Sequence, residues 1–220
     1  MRYLLAIFLE KKGGEMLDNK GFDLWANGYD KSVGLSDEEN TYPFAGYKDV
    51  LNAIFKEVLE LDCKTVLDIG FGTGTLTRPL YEKGIEIYGQ DFSDEMIKIA
   101  KEKMPNAKFF VGDFTKGLVN PLRENKYDAI IATYSLHHLT DEEKIPFIKS
   151  LLSILNPGGK ILIGDITFKN RVDLELCKEK AKSYWDDEEF YFVYDEIRKH
   201  FTCVSFEKYS FCAGVLSIAN

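Results

Sequence analysis

The sequence predicts an α/β protein built on a doubly wound, mostly parallel sheet. Three observations lead there. From residue 64 onward, short apolar runs of strand character alternate with helical segments, the order that builds βαβ units. The first run, Val66 to Ile69, ends in a turn with glycines spaced two apart, Gly70-Phe71-Gly72-Thr73-Gly74. The length, 220 residues with 45% hydrophobic and 29% charged content, suits one domain with a full core.

Residues 1–15 are expected to be a mis-called start or a disordered tail. Lys11-Lys12-Gly13-Gly14-Glu15 directly precedes Met16, and codons for Gly-Gly-Glu can spell a bacterial ribosome-binding site before a start codon. Residues 16–61 read as an N-terminal helical cap. Its last helix, Phe44 to Leu61, places Val50, Leu51, Ile54, Phe55, Val58 and Leu59 at helical spacing. The main domain then runs over 62–220.

Strand one is Lys64–Asp68, apolar enough to be buried on both faces. A helix from Leu76 to Lys83 ends at Gly84, a residue type suited to the left-handed turn after a helix. Strand two is Glu86–Gln90. Ser93 caps a helix over Glu95–Lys103, with Pro105 just beyond its end. Strands three and four are Lys108–Val111 and Tyr127–Ala132. Asp141 opens a helix to Leu155, which Asn156-Pro157-Gly158-Gly159 stops, and strand five is Lys160–Gly164. Residues 166–200 mix helix with aromatics and read as a lid or insert. Thr202–Tyr209 and Cys212–Ile218 form a closing hairpin.

The net charge of −8 argues against a nucleic-acid backbone as the main partner, because such partners reward a basic face. The longest N-terminal apolar run, Tyr3 to Leu9, is too short to span a membrane, and no small-residue cleavage site follows it. Cys63, Cys177, Cys203 and Cys212 contain no C-x-x-C pair, which argues against zinc. Reduced thiols and a cytoplasmic location are expected. Cys203 and Cys212 are the pair best placed to be cross-strand neighbours.

The acid beneath the glycine turn points to the ligand. A loop built for a pyrophosphate would not place a carboxylate, Asp68, at its base; a loop built for a cation would. Thr75 also stands where the dinucleotide fingerprint G-x-G-x-x-G needs glycine. The run Asp68-Ile69-Gly70-Phe71-Gly72-Thr73-Gly74 resembles the first motif of class I S-adenosylmethionine (SAM) methyltransferases, in particular small bacterial enzymes acting on small molecules. The resemblance implies a Rossmann-like, seven-stranded, mostly parallel sheet with an antiparallel last strand and helices on both faces. It also implies that Asp68, Gly70, Gly72 and Gly74 wrap the methionine part of SAM, which carries an ammonium and a sulfonium.

Ligands of open parallel sheets bind beyond the carboxyl ends of the strands. After strand two, Asp91 matches the family's ribose-binding acid; its other reading is a helix cap, but Ser93 already fills that role. Phe92 is expected beside the adenine, with Met96 either completing that wall or packing in the core. After strand three, Asp113 and Phe114 match the positions that meet the adenine amino group and ring. Gly112-Asp113 also reads as a simple turn.

After strand four, Thr133-Tyr134-Ser135-Leu136-His137-His138-Leu139 resembles the family's fourth motif, where the loop passes the methyl group and faces substrate. Thr133 is thus a cofactor candidate, and Tyr134 and His137 are substrate candidates. There is no Asn/Asp-Pro-Pro-aromatic run, no Pro-Cys nucleophile and no acid at this strand end for magnesium. His138 is the candidate general base, since imidazole titrates near neutrality; loop packing is the other reading. No metal is expected at the two histidines, because no third ligand is apparent near them in sequence.

Upstream, Phe22-Asp23-Leu24-Trp25-Ala26-Asn27-Gly28-Tyr29-Asp30 resembles the family's aromatic entry segment. Tyr29 would close over the methionine carboxylate and Trp25 would line the lid. Tyr184 and Trp185 open an aromatic cluster, interleaved with Asp186, Asp187, Glu188 and Glu189, that suits a cationic or neutral apolar substrate over a phosphorylated one.

The expected function is methyl transfer from SAM to O, N or S of a small molecule, leaving S-adenosylhomocysteine (SAH), by a monomer or homodimer. Rival readings are a non-catalytic SAM-binding module, an aminopropyltransferase and a nicotinamide oxidoreductase.

Overall fold

The computed structural model describes residues 40–220. Trp25, Tyr29, Met16 and the 1–15 segment lie outside the described residues. The elements are α1 (Tyr47–Glu60), β1 (Thr65–Ile69), α2 (Thr77–Glu82), β2 (Glu86–Asp91), α3 (Asp94–Lys103), β3 (Lys108–Val111), α4 (Asn120–Arg123), β4 (Tyr127–Thr133), α5 (Asp141–Leu152), β5 (Leu155–Phe168), α6 (Arg171–Ala181), β6 (Phe192–Val193), α7 (Tyr194–Ile197), β7 (Cys203–Lys208) and β8 (Ala213–Ala219).

The sheet runs β3-β2-β1-β4-β5-β8-β7. Pairing is parallel from β3 through β5, and β8 is antiparallel to both β5 and β7. This seven-strand path is the one expected. An eighth strand, β6, adds to it by pairing Thr167 with Phe192 and Phe168 with Val193.

Strand alternation divides the core into two layers. Val66, Ile87, Ile131 and Leu162 face α1, α2 and α3 through Val50, Ile54, Leu80, Ile97 and Ala100. Leu67, Ile69, Ile130, Ile161 and Ile163 face the other way, onto Leu122, Ile148 and Leu151. Helices therefore cover both faces. Gly164 lets α1 lie close, since a Cβ there would fall 2.4 Å from Val50 Cγ1.

Two helix starts are fixed by side chains. Ser93 accepts from the Met96 N–H, as its sequence position predicts. Thr140 and Glu143 form a reciprocal capping box at the head of α5.

Strand five departs most from expectation. α5 ends at Leu152, and β5 begins at Leu155 and passes through Asn156-Pro157-Gly158-Gly159. Those residues form an irregularity in the strand: the register with β4 shifts between Tyr127 and Ala129. Gly158 sits at φ +82°, and a Cβ on Gly159 would fall 2.7 Å from the Asp128 carbonyl oxygen. At its other end β5 continues to Phe168, so the lid begins later than predicted. The four thiols are free. Cys203 pairs with Ala219 across β8, and Cys212 meets the Cys177 thiol instead.

Candidate active site

The carboxyl ends of β1, β2 and β4 converge on the glycine turn. Asp68 is 1% exposed. Its Oδ2 accepts a short hydrogen bond from Thr77 Oγ1 on α2, while its Oδ1 is buried with no hydrogen-bond partner among the described residues. Burial pushes this carboxyl up to about 7; Thr77 pulls it back and Asp91 repels its charge.

The turn is held from three sides. The Gly70 N–H donates to Gln90 O at 2.8 Å, and Ser135 Oγ donates to Ile69 O at 2.8 Å. Lys103 Nζ donates to Thr73 O at 2.9 Å. Gly70 and Gly72 sit at φ +68° and +56°, where L side chains are strained. A Cβ at Gly70 would collide with Ser135 Cβ at 2.5 Å, whereas one at Gly72 would project into open space.

Phe71, unassigned in the sequence reading, anchors the loop. It folds back over Gly89 of β2, where a Cβ would lie 2.5 Å from its ring, and stacks on Phe109 with centroids 4.3 Å apart. The signal was a lone glycine in the middle of a strand, which marks close approach by another group.

Asp91 lies across the turn from Asp68. Its Oδ2 accepts from the Gly72 N–H at 2.8 Å and its Oδ1 from the Ser93 N–H at 2.9 Å. The acid thus ties the glycine loop to the head of α3, and an ionised carboxylate has lone pairs for further donors. Phe92 is half-buried just before α3, and Met96, four residues on, is buried in its first turn. Asp113 accepts from the Thr115 N–H at 3.0 Å and from Lys116 Nζ at 2.9 Å, capping its own turn. Burial opposes its charge, but the Thr115 and Lys116 contacts hold it below the usual carboxylate range. Phe114 is buried in the lower core, 6.1 Å from the Phe147 ring.

Thr133 ends β4, paired with Gly164. Tyr134 follows at φ +49°, a conformation uncommon outside glycine, and packs on Phe44 and Tyr47 at the head of α1. The backbone strain turns the chain into the 3-10 turn Leu136–His138.

His137 is buried there between two acids. Its Nδ1 is 2.7 Å from Asp165 Oδ1 on β5, and its Nε2 is 3.5 Å from Glu189 Oε1 on the lid. Burial works against its charge, but Asp165 and Glu189 outweigh that and push it up to about 9. His138, its ring centroid 4.4 Å from that of His137, is pushed down to about 3 by burial and by the neighbouring imidazolium.

The lid is fastened over this pair. The Phe190 N–H donates to His137 O at 2.8 Å, and Tyr191 OH donates to Glu189 Oε2 at 2.6 Å. Trp185 joins Tyr191 and Tyr42, with centroids 4.8 and 5.6 Å away. Tyr184 ends the 3-10 turn Lys182–Tyr184 and is 36% exposed. The sequence reading gave the histidines no third partner; the fold supplies Glu189, which lies far along the chain.

A family described as "Methyltransferase domain" matches residues 66–159. An "Uncharacterized methyltransferase" of Anoxybacillus flavithermus is 40% identical over 170 residues, 77% of this chain and 76% of that protein. The chain belongs to the methyltransferases. A methyltransferase of Oceanobacillus iheyensis is 35% identical over 207 residues, 90% of each protein. In fold, the methyltransferase resembles magnesium protoporphyrin IX methyltransferase from Synechocystis PCC 6803, solved with bound SAH. That likeness has TM-score 0.63 at 18% identity and covers 99% of this chain and 95% of that one. Among the described residues no helix is long and apolar enough to cross a membrane.

Proposed function

We propose that this methyltransferase transfers the methyl group of SAM to O, N or S of a small molecule. The observation that carries the reading is the buried Oδ1 of Asp68, which meets no hydrogen-bond partner among the described residues, beneath a glycine turn whose Gly72 faces open space among those same residues. A lone buried carboxylate oxygen is costly unless a donor or cation meets it, and the ammonium of SAM supplies both. Gly70, Gly72 and Gly74 let the backbone approach that group; Asp91 would accept from the ribose hydroxyls. Phe92 and Met96 would flank the adenine, with Asp113 and Phe114 at its amino edge and Thr133 on the path of the methyl group.

When bound, SAM offers a methyl carbon on a sulfonium that departs readily once an acceptor atom is held in line about 3 Å away. The protein's task is therefore positioning. His138 was the candidate base, but a group pushed down to about 3 is a feeble proton acceptor at neutral pH. His137 holds its proton at neutrality between two carboxylates. Aromatic and acidic lid residues, together with the net charge of −8, favour a neutral or cationic acceptor.

The test is turnover of SAM to SAH against a panel of small hydroxyl, thiol and amine compounds. Acceptor-dependent SAH release is expected. Turnover restricted to nucleic acid or protein acceptors would overturn the small-molecule reading.

A further inference from the structure

We propose that His137, His138 and Glu189 form a binding site for a divalent transition-metal ion of the zinc class. The three side chains bring their ligand atoms within 4.8 Å of one another at the mouth of the β4 turn. The proposal goes beyond methyl transfer and does not depend on it.

Three features separate this cluster from an ordinary ion pair. The first is spacing. His137 Nε2 and Glu189 Oε1 are 3.5 Å apart, long for a charge-assisted hydrogen bond of about 2.7–2.9 Å. Two ligands on a tetrahedral ion with bonds of about 2.0–2.1 Å stand roughly 3.3–3.5 Å apart. Bringing His138 to that spacing takes a side-chain shift on the order of 1 Å.

The second is orientation. His137 Nδ1 is bonded to Asp165 Oδ1, leaving Nε2 aimed at Glu189, so an ion bound there takes the place of the proton between Nε2 and Glu189 and releases it to solvent. Asp165 is itself fixed, fully buried and accepting from the Ile166 N–H at 2.8 Å. A carboxylate behind the remote nitrogen is how metal-binding imidazoles are held. Glu189 has the matching support, since its other oxygen accepts from Tyr191 OH at 2.6 Å.

The third is rigidity. The Phe190 N–H donates to His137 O, and Lys144 Nζ bonds Phe190 O from α5, so the lid strand cannot lift Glu189 away without breaking buried bonds. Two imidazoles and one carboxylate suit zinc, cobalt, iron or manganese over magnesium or calcium, which prefer all-oxygen shells. Three protein ligands leave one position of a tetrahedral ion for water or another small ligand.

The experiment titrates chelator-treated full-length protein with Co²⁺, read by visible absorption, and with Zn²⁺, read by calorimetry. One ion per chain and cobalt bands of a low-coordinate site are expected. Glu189→Gln and His138→Ala should each weaken binding at least tenfold. Tyr191→Phe should weaken it by about 10–100-fold, the usual effect of losing a ligand's supporting hydrogen bond. His200→Ala, an exposed histidine outside the cluster, should leave it unchanged. Absence of stoichiometric binding, equal binding by Glu189→Gln and His138→Ala, or loss in His200→Ala would overturn the site. Circular dichroism checks each variant's fold, and if Glu189→Gln fails to fold, His138→Ala and the native cobalt spectrum decide. An SAH titration of the same metal-free sample separates the two readings. SAH binding without metal binding sinks this proposal alone, and metal binding without SAH binding sinks only the cofactor contacts.

Discussion

Asp68→Asn should remove a loss of stability that wild type suffers between pH 5 and pH 8 while weakening the protein's grip on SAM. The wild-type carboxyl rises from 3.8 to about 7 because it is buried. The folded state therefore holds this proton more tightly than the unfolded chain does. Asp68 leaves stability intact below pH ~4 and erodes it as pH climbs through about 7. Between pH 5 and pH 8 the loss amounts to about 2–3 kcal/mol. Asparagine carries no charge and escapes that slope. Its buried amide lacks an acceptor at the position of Oδ1, a cost of about 1–3 kcal/mol, but one that is equal at both pH values and cancels in the comparison. Urea denaturation of both proteins at pH 5 and pH 8 gives the double difference. The variant should gain about 2–3 kcal/mol on wild type across that interval. An unchanged gap would refute the account of Asp68 as a strained, buried acid. At pH 8 the same substitution should weaken SAM binding by about 1.5–3 kcal/mol, the loss of a hydrogen bond to a charged group.

Asp91→Ala should weaken SAM by about 1–3 kcal/mol and loosen the turn, since the Gly72 and Ser93 N–H groups lose their acceptor; calorimetry that finds full affinity would leave Asp91 as a loop tie alone. Gly72→Val should abolish SAM binding and keep the fold, because a Cβ there meets no atom of the described residues within 4 Å and the left-handed backbone costs about 1–2 kcal/mol. Retained binding would mean that the turn does not touch the ligand. Phe71→Ala should destabilise the protein by about 3–5 kcal/mol, the range for deleting a buried aromatic ring; a change below 1 kcal/mol in urea denaturation would show that Phe71 does not anchor the loop.

Strands β1 to β4 were legible because each is a short apolar run bounded by turn residues, and because Ser93 stands where a helix cap belongs. The β5 start was not. Pro157-Gly158-Gly159 has the chemistry of a turn, and only the close fit of Gly159 against the Asp128 and Tyr127 carbonyls turns it into a strand irregularity. β6 also escaped, being two residues long within an aromatic lid. At the site, the positions of Asp68, the glycines and Asp91 were legible because the two acids close apolar strand runs and the glycines follow the first of them. Glu189 could not, because it stands in a run of four acids and only tertiary contacts, its own to His137 and Tyr191, distinguish it from its neighbours. The burial that pushes His138 down and the two acids that push His137 up are likewise tertiary effects, whereas sequence offers only the ordinary imidazole value.

Isothermal titration of wild-type protein with SAM at pH 8, beside Asp68→Asn, tests the central claim most directly. The account predicts one molecule bound per chain and a clearly weaker isotherm for the variant. No heat with wild type, or superimposable isotherms for the two proteins, would contradict it.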